Sequence, residues 1–175
     1  MRKIFKIALT ELCTLFYSPI AWLVLIIFTV QACMTYFRLV DIMLMQQFNK
    51  PLWYSIAKEM YTGSMGLFPN MLVHLYLYIP LLTMGLMSRE YSSGSIKLLY
   101  SSPVSSVQII FGKFLSMMIY SLILVGILFL FVRFTAWNVP SFDMSLALSG
   151  LLGIYLVICS YAAIGLFMSC LTSYQ

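Results

Sequence analysis

Apolar residues recur at helical spacing from the start of the chain. Phe5, Leu9, Leu12 and Phe16, with Ile4, Ala8 and Leu15 beside them, fall on one side of a helix over 2–17. Lys3, Lys6, Thr10 and Thr14 fall on the other. The pattern predicts an amphipathic helix lying in a headgroup layer rather than the front of a span. Ser18-Pro19 marks its end, because the residue before a proline is driven out of helical geometry. Beyond that break the two-sided pattern gives way to long runs that are apolar all round. They predict spans at about 20–37, 68–87, 114–132 and 146–168, each long enough at about 1.5 Å per residue to cover a hydrocarbon core of about 30 Å. Trp22 and Tyr36, near the ends of the first span, read as interfacial anchors. Pro69 fits the first turn of the second span, and Pro80, inside it, should bend the helix. Gly150, Gly153 and Gly165 would let the fourth span approach a neighbour closely.

Between the runs lie polar stretches. Residues 38–67 carry Arg38, Asp41, Lys50, Lys58 and Glu59, punctuated by Asn49-Lys50-Pro51 and Gly63-Ser64-Met65-Gly66. Trp53, Tyr54 and Tyr61 suggest that part of this loop rests on the membrane surface. Residues 88–113 carry Arg89, Glu90, Lys97 and Lys113, and residues 133–145 form a short link with Arg133, Pro140 and Asp143.

Composition makes lipid the solvent. Hydrophobic residues are 62% and charged residues 9% of the chain, with a mean hydropathy of +0.98. A soluble domain carries roughly 25% charged residues. The fold expected is therefore all-α, a polytopic transmembrane helix bundle forming one domain over 1–175. The net charge of +5 does not point to nucleic acid, because the ten Lys and Arg are scattered rather than clustered. They read instead as topology signals. With the N-terminus inside, Arg2, Lys3, Lys6, Arg89, Lys97 and Lys113 are cytoplasmic and outnumber Arg38, Lys50, Lys58 and Arg133 outside, as the positive-inside rule favours. The opening Met1-Arg2-Lys3 and the Val30-Gln31-Ala32-Cys33 stretch resemble parts of a signal peptide, but Glu11 interrupts the early apolar run and Gln31 fits a cleavage box poorly. An uncleaved first helix is the expectation. Cys13, Cys33, Cys159 and Cys170 show no metal-binding spacing and read as small residues within helices. His74, the single histidine, lies inside the second span, where an ionisable group is a functional candidate. A neutral imidazole hydrogen-bonded to a neighbouring helix is its commoner state.

The 89–115 stretch, REYSSGSIKLLYSSPVSSVQIIFGKFL, is the most specific. Gly94-Ser95 can end the second helix, with Ser95 capping a short helix through Ile96, Leu98, Leu99 and Tyr100 that stops before Pro103. Ser105 or Ser106 then caps the helix that enters the third span. On periodicity alone this is either a rigid lever for a soluble partner or an ordinary surface connector.

Glu90, Gly94-Ser95, Leu98-Leu99, Ser102-Pro103 and Gly112-Lys113 together resemble the signature of type-2 ABC exporter permeases, closest to the branch that includes the gliding-motility-associated permeases. The amphipathic helix followed by Ser18-Pro19 and a span resembles that family's opening. The resemblance implies that the loop holds a coupling helix against an ATP-binding subunit, with Glu90, Gly94, Ser95, Leu98, Leu99 and Pro103 in the contact region. Ser95 stands where the family often has Thr, and Lys97 where it often has an acid. The family usually has six spans per subunit, so the sequence reads as ending after the fourth.

There is no GxxxxGK[ST] phosphate loop, HExxH or GxSxG motif, and the four predicted spans contain no Asp or Glu. Intramembrane carboxylates are usual in ion-coupled transporters. Energy is therefore expected from a separate ATPase, and the chain itself is expected to be no enzyme and to need no cofactor or metal. The function implied is the permease subunit of a type-2 ABC exporter in a bacterial inner membrane, paired with a second permease subunit. A non-transporting membrane scaffold that uses the 38–67 loop as its binding surface is the alternative, and an enzyme built around His74 is a third class.

Overall fold

A computed structural model describes residues 2–46, 58–92, 105–139 and 142–171. Among them the elements are helical: α1 (Arg2–Tyr17), α2 (Pro19–Gln46), a π-helical turn (Lys58–Thr62), α3 (Leu67–Ser92), α4 (Ser106–Asn138) and α5 (Met144–Leu171). Four candidate membrane spans lie on α2, α3 with its preceding turn, α4 and α5.

The helices outrun the apolar runs that predicted them. α2 continues past Phe37 to Gln46, so Arg38 and Asp41 are helical rather than in a loop. No Gly or Pro interrupts this extension, and Leu39, Val40 and Met43 still face the core. α4 begins eight residues before Phe114, and it passes through Arg133 to Asn138, just before Val139-Pro140. Its start is capped as expected, with the Gln108 backbone N–H donating to the Ser105 hydroxyl. α3 carries Pro69 in its first turn and runs through Pro80 without ending.

The order of contacts fixes the topology. Ala21 meets Tyr120 and Tyr36 meets Thr135, so α2 and α4 run in the same direction. Phe68 meets Gly150 and Thr83 meets Gly165, so α3 runs with α5. Tyr78 of α3 donates to Gln31 of α2, near the middle of both. The result is an up-down-up-down bundle in which α3 packs chiefly on α5, and α4 on α1 and α5. A Cβ on Gly165 would run into the Thr83 hydroxyl, and one on Gly150 would stand 2.5 Å from the Phe68 ring, so both glycines permit the predicted close approach. Gly153 does not take part among the described residues, none of which lies within 4 Å of its Cβ direction.

At the far end from α1, hydroxyls replace the expected surface aromatics. Tyr61 is fully buried, where the loop pattern placed it on the membrane surface. Its hydroxyl donates to the Phe131 carbonyl at 3.0 Å and pairs with the Thr135 hydroxyl at 2.6 Å. Tyr36, read as an interfacial anchor, is buried too and meets Thr135 at 2.9 Å. Of the expected anchor pair, only Trp22 is exposed. Trp53 and Tyr54 lie outside the described residues.

Candidate coupling site

α1 has three faces rather than two. Ala8 and Leu15 are buried, with Ile7 and Leu12 partly so, on the side toward α4. Phe5 and Leu9 are exposed next to that side, and Lys6, Thr10 and Thr14 are exposed beyond them. One stripe thus serves protein, one is apolar toward the surroundings and one is polar, a division suited to a helix at a membrane boundary. Ser18 closes α1 with its backbone N–H on the Leu15 carbonyl. The Trp22 indole then reaches back to the Phe16 carbonyl at 2.8 Å, supplying a donor to a last-turn acceptor that the helix leaves open.

Glu11 falls in the middle of the protein-facing stripe, between Ala8 and Leu15. A carboxylate there would cost several kcal/mol to desolvate without a partner. The partner is Lys113 of α4, whose Nζ lies 2.7 Å from the Glu11 Oε1. Lys113 is only 1% exposed and also donates to the Leu86 carbonyl of α3 at 2.9 Å. That carbonyl has a second lone pair beyond its helical bond, so the contact is additional to α3's own ladder. One ammonium therefore ties α1, α3 and α4 at a single point. The preceding residue makes the approach possible: a Cβ on Gly112 would stand 2.6 Å from the Ile7 Cγ2. Gly112-Lys113 thus works as a unit, with the glycine admitting α1 and the lysine fastening it.

This tie sits near the described ends of the two helices that flank residues 93–104 in sequence. Lys113 lies about 12 Å along α4 from Ser105, and Leu86 about 9 Å along α3 from Ser92. Of the residues expected to contact an ATPase, Gly94, Ser95, Leu98, Leu99 and Pro103 lie outside the described residues. Glu90 falls in the last turns of α3, and its side chain is likewise outside them. Among the described residues the fold supplies a helix end on either side of that stretch in sequence, with both helices tied to α1 through Lys113. The sequence reading missed that tie, giving Lys113 as a topology charge and, with Gly112, as part of the family signature, and Glu11 only as an interruption. The available signal was an acid inside the apolar stripe that runs Ile4, Ala8, Leu15.

His74, half-buried, stacks on Tyr78 of its own helix with ring centroids 6.3 Å apart. The expected hydrogen bond to a neighbouring helix is not found among the described residues. Cys13, Cys33, Cys159 and Cys170 are free and lie within helices.

Compared with known families, residues 5–175 match the model of the ABC-2 family transporter protein. No curated protein and no solved structure matches the chain.

Proposed function

Because this chain belongs to the ABC-2 transporter family and is a multi-pass membrane subunit of that kind, we propose that it is the permease of an exporter driven by a separate ATP-binding subunit. The reading places it in a bacterial inner membrane with α1 and residues 93–104 on the cytoplasmic side. The excess of Lys and Arg in those segments supports that orientation. Two such subunits enclose the translocation path. The spacing of Glu90, Gly94-Ser95, Leu98-Leu99, Pro103 and Gly112-Lys113 supports a place nearest the gliding-motility-associated branch.

The observation that carries the reading is the Lys113 tie. A force applied between Gly94 and Pro103 reaches α3 through Glu90 and α4 through Ser105. Lys113 joins those two helices to α1 within a few turns of the point of application. The three helices then respond as one body, which a lever needs and a passive connector does not. Nucleotide-driven closure of the ATPase pair would in this way reorient the spans and open the path.

The test is a Leu99→Asp substitution in the full chain with its cognate ATPase co-expressed. The ATPase is expected to be lost on purification while membrane insertion is retained. Unchanged recovery of the ATPase, or labelling of single cysteines at 95–103 from the periplasm, would overturn the coupling role.

A further inference from the structure

Next to the tie lies a cleft of about 260 Å³ between α1, α2, α3 and α4. That is the volume of roughly nine waters in the liquid, enough for a small polar group and the start of a chain but not for a large cargo. Its walls differ in character. Leu15, Leu82 and Leu86 are core residues, while Ile20 and Leu81, also lining it, are 39% and 49% exposed and face the bilayer. Glu11, Thr14, Ser18 and Lys113 supply the polar wall.

The two charges are not equally accessible. Lys113 is 1% exposed and holds the Glu11 Oε1 and the Leu86 carbonyl. Glu11 is 18% exposed, and among the described residues Lys113 is its only partner. A carboxylate has acceptor sites on both oxygens, so Glu11 keeps capacity at Oε2. The charge the cleft offers to an occupant is therefore negative, flanked by the Thr14 and Ser18 hydroxyls and a lipid-facing apolar wall.

We propose that the cleft is a binding site for a membrane phospholipid with a primary ammonium headgroup. The ammonium donates to the Glu11 Oε2, and one acyl chain lies along Ile20, Leu81 and Leu82. Charge complementarity selects this occupant. An ammonium makes a charge-assisted hydrogen bond with the carboxylate, whereas an anionic headgroup would bring like charge to it. A quaternary headgroup has the charge but no N–H to donate. The acyl chain replaces water against leucine and isoleucine surface that the bundle leaves uncovered. The site is separate from the 95–103 contact and stands whether or not that segment couples to an ATPase.

The experiment uses the full chain in nanodiscs of equimolar phosphatidylethanolamine, phosphatidylcholine and phosphatidylglycerol. Lipids retained after transfer to detergent are counted by native mass spectrometry. In parallel, a phosphatidylethanolamine with a diazirine in its acyl chain is photo-crosslinked and mapped by peptide. The expected result is about tenfold retention of phosphatidylethanolamine over the other two, the effect of about one charge-assisted hydrogen bond. Crosslinks are expected at Ile20, Leu81 and Leu82. Leu81→Trp, which fills the cleft from an exposed position, should remove both signals without lowering the unfolding temperature. Glu11→Gln should erase the headgroup preference while keeping the crosslinks. Equal retention of the three lipids overturns the proposal. So do crosslinks confined to the outer faces of α4 and α5, or an unaltered Leu81→Trp profile. Because Leu81→Trp leaves the Glu11–Lys113 pair in place, it decides the matter even if Glu11→Gln fails to fold.

Discussion

Removing one member of the Glu11–Lys113 pair is not equivalent to removing the other, and the difference follows from burial. Glu11→Gln takes one carboxylate partner from a lysine that is 1% exposed, within α1, α3 and α4. Losing one partner of a buried ion pair costs about 3–5 kcal/mol. Lys113→Met instead leaves a carboxylate that is 18% exposed and lines the cleft, where water can solvate it. Its cost should be nearer the 1–3 kcal/mol of a buried acceptor that loses its donor. The double variant Glu11→Leu/Lys113→Met removes both charges and keeps apolar bulk, which for buried pairs is about neutral or stabilising. The assay is thermal unfolding of the full chain in one fixed detergent. At roughly 2–4 °C per kcal/mol for chains of this size, Glu11→Gln should lower the midpoint by about 6–20 °C and Lys113→Met by less. The double variant should return to within a few degrees of the parent. A double variant as unstable as Glu11→Gln, or a Glu11→Gln midpoint within about 2 °C of the parent, would refute the claim that this contact holds α1 to the bundle.

The glycines give a matched pair of tests. Gly165→Ala drives a methyl into the Thr83 side chain and should cost about 1–3 kcal/mol by overpacking, part of it recovered by adding Thr83→Ala. Gly153→Ala, with no described residue within 4 Å, should be neutral or slightly stabilising in the same melt. Tyr61→Phe removes the hydroxyl that meets Thr135 and the Phe131 carbonyl. It should cost about 1 kcal/mol and appear as faster amide exchange confined to the π-helical turn.

The sequence made the number and order of the four spans among the described residues legible because spans of uniform hydropathy leave few alternatives. Their ends were not, since hydropathy reports where lipid would accept the chain while a helix continues until its backbone is stopped. Arg38 thus ended a predicted span but not α2, and Arg133 likewise did not end α4. Uniform hydropathy also hides which face meets protein. Tyr36 looked like an anchor at a span end, yet its hydroxyl partner, Thr135, is 99 positions away. The Gly112-Lys113 motif was visible, but its meaning depends on Ile7 and Glu11, and the ion pair spans 102 positions. Three-faced α1 was half legible: its apolar arc showed, but the division of that arc between α4 and lipid needed the fold.

α2 is held to its neighbours at three heights by tyrosine hydroxyls, through the Ala21 carbonyl, the Gln31 side chain and Tyr36 itself. Sliding it by one turn, about 5.4 Å, would strip all three bonds at once at roughly 1 kcal/mol or more apiece. A piston stroke along the membrane normal is therefore the expensive motion for this helix. Swinging about the Ser18-Pro19 break would keep the Tyr120–Ala21 bond near the pivot intact. Work delivered at the base would thus emerge at the far end as a change in inclination, not in depth.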